Sequence, residues 1–161
     1  MAGPVEIKGR VDVRSGLYLV EFMVPGIAPA DAFDAGDAFG TMYAIIVPER
    51  GIISYGLFLD LDDEGTEIDA LFYTAPISVV ASDAAFAPTD ADARKFVTAL
   101  KFSAFDDWGL FRTSEIANHN VPYYAPQGKL YGQCKCVSTP NIAAGSEPII
   151  RLGILPASGE E

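Results

Sequence analysis

The sequence is poor in the residues that most often carry catalysis and metal binding. It has one histidine, His119, and two cysteines, Cys134 and Cys136, among 161 residues. A structural zinc site takes four ligands, mostly cysteine and histidine, and these three residues are too few to supply them. Neither a Gly-x-x-x-x-Gly-Lys phosphate loop nor a dinucleotide-binding fingerprint occurs. The composition therefore favours a protein that is not an enzyme and holds no metal or cofactor.

Basic residues and long apolar runs are also scarce. The chain has 11 Lys and Arg against 22 Asp and Glu, a formal charge of −11, so its field repels phosphate backbones and anionic lipid. No uncharged apolar run approaches the roughly 20 residues that span a bilayer. The first residues lack the basic and apolar blocks of a signal peptide. We expect a soluble protein that binds neither nucleic acid nor membrane.

The residues that are plentiful indicate the fold class. Fifteen glycines and 11 prolines separate short apolar runs, many of which alternate with period two, as in half-buried strands. We predict an all-β single domain over residues 1–161, a two-sheet antiparallel sandwich of the jelly-roll type with one short helix. Residues 157–161 are expected to form a flexible tail. Strands are expected at 17–24, 42–47, 52–61, 68–73, 96–102, 110–116, 129–138 and 149–154.

The stretch from 52 to 102 is the centre of this prediction. Leucines stand at 57, 59 and 61, and apolar residues return at 68, 70 and 72 after the turn-forming Asp-Asp-Glu-Gly at 62–65. Two alternating runs around such a turn predict a β-hairpin. Further on, Thr89 followed three residues later by Asp92 predicts the capped start of the short helix, near 89–94.

The acidic turn resembles the first half of a calcium loop. Asp60, Asp62 and Glu64 stand at its positions 1, 3 and 5, with Gly65 at position 6. Position 12, where a bidentate Glu belongs, is Leu71, and no helices are expected on either side. We interpret the acids as a solvated turn and expect no metal.

Cys134 and Cys136 are two residues apart in an expected strand. Side chains at that spacing share one face with Cα atoms about 6.7 Å apart, at the limit of disulfide reach. We expect two reduced thiols borne on a strand.

The N-terminal segment combines alternation with positive charge, and Gly9 is expected to be a bend or bulge. Two interpretations remain open for residues 1–14. They form an arm that adds to a neighbour's sheet edge through its backbone, or an edge strand of their own sandwich. The residues expected to make contact with a partner are Val5, Ile7, Lys8, Arg10, Val11, Val13 and Arg14.

Aromatic residues gather around a second expected turn, at 106–109. Phe105, Trp108 and Phe111 lie there, close to Phe102. A core or rim cluster is favoured over a sugar-stacking surface. An enzyme of the Ser-His-Asp type has to use His119, but no Gly-x-Ser-x-Gly elbow occurs, and Ser114 merely precedes His119 by five residues.

Seven segments carry a resemblance to a known family. They are Gly-Leu-Phe-Leu-Asp-Leu at 56–61, Asp-Ala-Leu-Phe-Tyr at 69–73, Phe-Ala-Pro-Thr-Asp-Ala-Asp-Ala-Arg-Lys-Phe at 86–96, Val-Pro-Tyr-Tyr at 121–124, Lys-Leu-Tyr-Gly-Gln at 129–133, Thr-Pro-Asn-Ile-Ala-Ala-Gly-Ser at 139–146 and Ile-Arg-Leu-Gly-Ile at 150–154. In this order they resemble the head decoration, or cement, proteins of tailed bacteriophages. The resemblance covers about two-thirds of the chain and leaves out roughly the first fifty residues. Cys134 and Cys136 depart from the strand formers expected there.

The resemblance implies a virion structural protein without an active site. Such a protein is made in the host cytoplasm and sits on the capsid exterior, where it bridges copies of the major capsid protein. The resemblance also implies a homo-oligomer, a dimer or a trimer. Two other hypotheses stay open: a carbohydrate- or receptor-binding sandwich module of a virion, with its site at Trp108, and an enzyme that uses His119 or the acidic turn.

Overall fold

The computed structural model describes residues 3–12, 16–28, 32–143 and 145–157. This part of the chain forms twelve strands and one helical turn, and no helix in it is long and apolar enough to cross a membrane. The elements are β1 Val5–Lys8, β2 Arg10–Asp12, β3 Leu17–Met23, β4 Ala38–Ile46, β5 Arg50–Asp60, β6 Ile68–Tyr73, α1 Asp90–Ala93, β7 Phe96–Phe102, β8 Asp106–Asp107, β9 Arg112–Ile116, β10 Val121–Tyr124, β11 Lys129–Cys136 and β12 Ile149–Pro156.

The strands form two sheets packed face to face. Sheet A has the order β1-β4-β11-β6-β7, and sheet B has the order β2-β3-β12-β5-β9-β8, with β10 also paired to β5. The antiparallel pairs are nested: β3 pairs with β12, β4 with β11, β5 with β9 and β10, and β6 with β7. The first long strand therefore pairs with the last, and so on inward, which is how a jelly roll is wound. The predicted all-β sandwich of the jelly-roll type is confirmed.

The hairpin predicted around the acidic turn is wrong. β5 belongs to sheet B and β6 to sheet A, so residues 61–67 carry the chain from one sheet to the other. Alternation identified both strands correctly, but it does not tell a hairpin from a corner between sheets, because each strand buries one face in either case. The short helix is confirmed: Thr89 is its N-cap, and Thr89 and Asp92 form a capping box.

The sixth strand of the jelly roll is interrupted. β9 pairs with the second half of β5 and β10 with the first half. Between them Asn118 and Asn120 have φ values of 55° and 53°, a left-handed conformation that Asn tolerates better than most residues. The backbone N–H of His119 donates to the Ser54 carbonyl at 3.0 Å, which keeps the break against β5.

The core lies between the sheets and is rich in aromatic rings. Phe22 of sheet B packs on Tyr43 of sheet A with ring centroids 4.9 Å apart, and Phe58 packs on Phe102 at 5.4 Å. Cys134 and Cys136 are free thiols buried in the same core, as expected for reduced cysteines on a strand. Burial raises the pKa of the Cys136 thiol to about 12, so it stays protonated and unreactive at neutral pH.

The outer face of sheet A is covered by the chain itself. In the connection between β6 and β7, Ile77 is buried with Met42 and Tyr73, and Phe86 packs against this group. The buried side chain of Gln133 in β11 donates to the Val80 carbonyl at 2.8 Å, which ties the same connection to the sheet. These contacts cover the three central strands of sheet A, β4, β11 and β6, from outside.

Strand boundaries differ from the prediction at two places that concern the site. Residues 110–116 were expected to form one strand, but Leu110 and Phe111 lie in a turn, and β9 begins at Arg112. Asp106 and Asp107, expected in a turn, form β8 and pair with β9. Before β4, Phe33 is buried against Phe39 of β4, with ring centroids 5.0 Å apart.

Candidate docking surface

The outer face of sheet B is open and largely apolar. In β3, the core residues Tyr18, Val20 and Phe22 alternate with Leu19 and other side chains that point outward. The same alternation in β5 and β12 places further apolar side chains on that face. We call this surface the open face; it comprises Leu17, Leu19, Met23, Ile52, Leu57, Leu59, Ile149 and Leu155.

Strand register aligns these residues across the sheet. Ile149 of β12 pairs with Met23 of β3 on one side and with Leu59 of β5 on the other. Leu155 pairs with Ile52 in another row. Met23 is 54 % exposed and Leu155 42 % exposed, while the other members are partly exposed. The result is two apolar rows across the sheet, separated by the row that contains Glu21 and Arg151.

Polar side chains on this side of the sheet are paired with each other. Arg151 binds Glu21 with an Nη2–Oε2 distance of 2.6 Å, and the Tyr55 hydroxyl donates to Glu115 at 3.3 Å. Exposed pairs of this kind contribute little to stability, but the Arg151–Glu21 pair cancels two opposite charges in the middle of the open face. An antiparallel sheet usually turns a polar face to water, so an apolar one indicates a docking surface.

A hairpin formed by β8 and β9 continues from this face. Trp108 is 62 % exposed, Leu110 88 % and Phe111 37 %. Gly109, with φ of 98°, occupies the first central position of the turn between Trp108 and Phe111, where a tight hairpin needs positive φ. We call residues 108–111 the hairpin tip.

The hairpin tip is held in place by hydrogen bonds on both sides. The Trp108 Nε1–H donates to Thr113 Oγ1 at 2.8 Å, and the Gly109 N–H donates to Asp107 Oδ1 at 2.8 Å. Arg112 donates to Asp63 at 2.9 Å, which fastens the hairpin to the acidic turn. The apolar tip is therefore preorganised for contact.

The aromatic cluster predicted from sequence is divided in the structure. Phe105 is partly buried, and its ring meets Phe58 edge-on at 6.1 Å, while Phe102 lies in the core. Trp108 and Phe111 are on the exposed hairpin instead. The favoured core or rim cluster therefore accounts for two of the four rings, and the other two are available to a partner.

The described part of the predicted N-terminal contact segment is paired within the protein's own sheets. β1 runs parallel to β4, with Val5 opposite Tyr43, and β2 pairs with β3. Val5 and Lys8 are exposed and Ile7 is partly buried. The side chains of Arg10 and Val11, and the whole of Val13 and Arg14, lie outside the described residues. In this structure the segment 5–12 is thus an edge strand in each sheet.

Gly9 is the bend at which the chain changes sheets, as expected. A Cβ there would lie 2.6 Å from the Leu19 carbonyl oxygen, too close for any other residue without a shift. The Tyr18 hydroxyl accepts from the Gly9 N–H at 3.2 Å and donates to the Ile46 carbonyl at 2.8 Å. One buried hydroxyl thereby links the bend to both β3 and β4.

The acids of the calcium-like turn accept hydrogen bonds from the chain. Buried Asp60 accepts from the N–H groups of Asp62 and Gly65 at 3.0 and 2.6 Å. Asp62 and Glu64 accept from backbone N–H groups of the 141–143 segment at 3.2 and 3.1 Å. In the described parts of the chain, no group of three or more His, Cys, Asp or Glu side chains is arranged to hold a metal ion. The acids therefore organise the corner between the sheets.

His119 lies between the free edges of the two sheets. Its Nε2 is 2.8 Å from Thr98 Oγ1 of β7, and burial lowers its pKa. Ser114, the nearest upstream serine, is buried on β9 opposite Phe58. Within the described chain, no contact joins Ser114 to His119, as a nucleophile and its base would require.

No protein-family model matches this chain, and no curated protein matches it. The open face and the hairpin tip are therefore the features that indicate a function.

The sequence contained a signal for the open face. Leu57, Phe58 and Leu59 form an unbroken apolar run inside an alternating strand. Such a run is typical of a strand that is apolar on both faces. One face is buried in the core, and the other is the part of the open face contributed by β5.

Proposed function

We propose that this chain is a decoration protein of a tailed-bacteriophage head. It binds the outside of the capsid through its open face and bridges neighbouring major capsid proteins. The segments from 56 to 154 that resemble such proteins support the identity of the partner, and the open face supports the mode of attachment.

The observation that carries the proposal is the difference between the two outer faces. The connection from β6 to β7 covers sheet A, with Ile77 and Phe86 packed on Met42 and Tyr73. Across sheet B, apolar side chains such as Met23 and Leu155 remain exposed. Because the central strands of sheet A are covered, the open face of sheet B is the broad surface that remains for a large partner.

Energetics favour a repeated contact on a lattice. Burying apolar surface contributes about 25 cal/mol per Å², but association has a large entropic cost. A single open face therefore gives a modest affinity. A shell presents many equivalent sites, and an oligomer that bridges them gains avidity. The charge of −11 suits the capsid exterior, because it repels DNA phosphates.

The proposal is tested by adding the purified protein to heads that lack it and counting bound copies per shell. We expect saturation at a fixed number of copies and greater resistance of the heads to heat. The informative variant is Leu155→Glu, on the open face. Its control is Val137→Glu, because Val137 follows β11 of sheet A and both residues are 42 % exposed.

We expect Leu155→Glu to weaken head binding by about tenfold or more, since a buried leucine contributes roughly 1.5–3 kcal/mol and 1.4 kcal/mol is tenfold. Val137→Glu should bind as the wild type does. Equal loss in both variants, or in neither, contradicts attachment through the open face. Absence of any saturable binding to heads contradicts the decoration function.

A second candidate function is recognition of a carbohydrate or receptor by the hairpin tip. It is favoured by the exposure of Trp108 and Phe111, 62 % and 37 %, because exposed rings stack on sugar faces and pack on receptor surfaces. A glycan array separates the two functions: binding that Trp108→Ala abolishes supports this candidate, and a blank array removes the carbohydrate form of it.

A further inference from the structure

We propose that the hairpin tip of one copy inserts into an apolar groove on the opposite edge of the next copy, so that copies associate head to tail. This contact is separate from the open face and does not depend on what that face binds. Its donor side is Leu110, which at 88 % has the highest exposure among the large apolar side chains of the described chain.

The receiving side is a groove beside β1, which we call the edge groove. Its volume is about 220 Å³, and it is lined by Val5, Thr41, Met42, Val79, Val80 and Ala81, with Gly3 at one end. None of these residues carries a charge. An apolar cavity of about 150 Å³ holds a benzene molecule, so the edge groove has room for the leucine side chain and part of a neighbouring ring.

The two features lie on opposite edges of the sandwich. The hairpin extends sheet B at its β8 edge, whereas the edge groove lies at the β1 edge of sheet A. Since β1 packs near β3, and β7 near β9, these edges are at opposite sides of the two-layer stack. A tip on one side and a groove on the other make a heterologous contact, which produces rings or open rows instead of symmetric pairs.

The charges predict how this contact responds to salt. Asp106 and Asp107 precede the tip, and the whole chain carries −11, so two copies repel each other at long range. The edge groove is uncharged, so the insertion of Leu110 does not remove any charged group from water. Salt screens the repulsion and leaves the apolar contact intact. Association should therefore strengthen as salt is raised, opposite to a contact held by ion pairs.

The contact area indicates a weak pairwise association. The side chains of Trp108, Leu110 and Phe111 together cover less than the roughly 800 Å² per partner of a stable interface. A pair of copies alone should therefore dissociate readily. Closure into a ring, or attachment of neighbouring copies to one surface, raises the effective concentration and makes the same contact persist.

The test joins the variants Leu110→Cys and Val79→Cys with a short cross-linking reagent that reacts with cysteine. The native Cys134 and Cys136 are buried and do not compete. An equimolar mixture of the two variants should give a covalent dimer with one chain of each. The double variant should give a ladder of higher species. The control is Lys101→Cys, an exposed position on β7, which in mixture with Leu110→Cys should give several-fold less product.

Two results overturn the proposal. If Leu110→Cys alone gives as much cross-linked dimer as its mixture with Val79→Cys, the contact is a symmetric one between two tips. A mixture with Val79→Cys that gives no more product than the Lys101→Cys control indicates that the tip does not reach the edge groove. Sedimentation of Leu110→Glu provides an independent check: the salt-enhanced association should be lost while the melting temperature is unchanged, because Leu110 is largely solvent-exposed.

Discussion

Asp60 and Asp92 are the two buried carboxylates in the described part of the chain, 3 % and 2 % exposed. Each accepts several hydrogen bonds: Asp60 closes the corner between β5 and β6, and Asp92 closes the first turn of α1. Hydrogen bonds from the Thr89 backbone and from Ser78 hold the pKa of Asp92 well below its usual range, although burial opposes them. A buried carboxylate is thus used to fix the backbone at each site.

We predict that Asp92→Asn lowers the free energy of unfolding at pH 7 by about 1–2 kcal/mol, the usual contribution of a helix cap. Because the folded pKa of Asp92 lies below its unfolded value, the stabilisation is present above pH 4 and is lost as pH falls below about 4. The difference between wild type and variant, measured by urea unfolding at several pH values, should therefore shrink toward pH 2.

The matched control for this measurement is Asp90→Asn. Asp90 starts the same helix but is exposed, so the substitution should change the unfolding free energy much less. A difference between wild type and Asp92→Asn that stays constant from pH 7 to pH 2 contradicts the assigned role of the carboxylate.

At the scale of single elements, β1 is held to the sandwich by few contacts. It is an edge strand of four residues, parallel to its neighbour and mostly exposed. Lys129 reaches Glu6 at 2.7 Å across β4, and Tyr18 secures the following bend. The sequence alone does not distinguish an arm that binds a neighbour from an edge strand of the same sandwich. The alternation of residues 5–13 suits pairing with either the protein's own sheet or a neighbour's.

Removal of residues 1–8 separates these alternatives. If β1 is part of the sandwich, the truncated chain should fold but lose about 1–3 kcal/mol of unfolding free energy, since partly buried Ile7 and the ladder bonds to β4 are lost. Urea unfolding measures this. An unchanged urea midpoint, together with loss of head binding, would identify the segment as an arm for a partner.

The acidic turn is another element whose role can be tested directly. Its carboxylates already accept N–H groups of the corner and of residues 141–143, so a calcium ion has to displace them. We predict that millimolar calcium does not raise the melting temperature above that in magnesium of equal ionic strength. The magnesium control is needed because either ion screens a net charge of −11. A rise that is specific to calcium would show binding to the native state.

At the scale of the whole molecule, local patterns predicted the sandwich but not its connections. Period-two alternation located most long strands, and Thr89 with Asp92 located the helix. The hairpin at 62–65 was wrong because sheet membership depends on long-range pairing such as β3 with β12. The open face was missed for a related reason: alternation identifies one buried face, and only the three-dimensional register shows that apolar residues from β3, β5 and β12 meet on the other.

Attachment through the open face is the central claim, and oxidation of Met23 by peroxide tests it most directly. Met23 is 54 % exposed on the open face, whereas Met42 is 6 % exposed and serves as the internal control. Peroxide converts an accessible methionine to its sulfoxide, which mass spectrometry quantifies at each position. Free protein should oxidise readily at Met23 and slowly at Met42. On heads, Met23 should become as resistant as Met42; undiminished oxidation of Met23 in head-bound protein would contradict the claim.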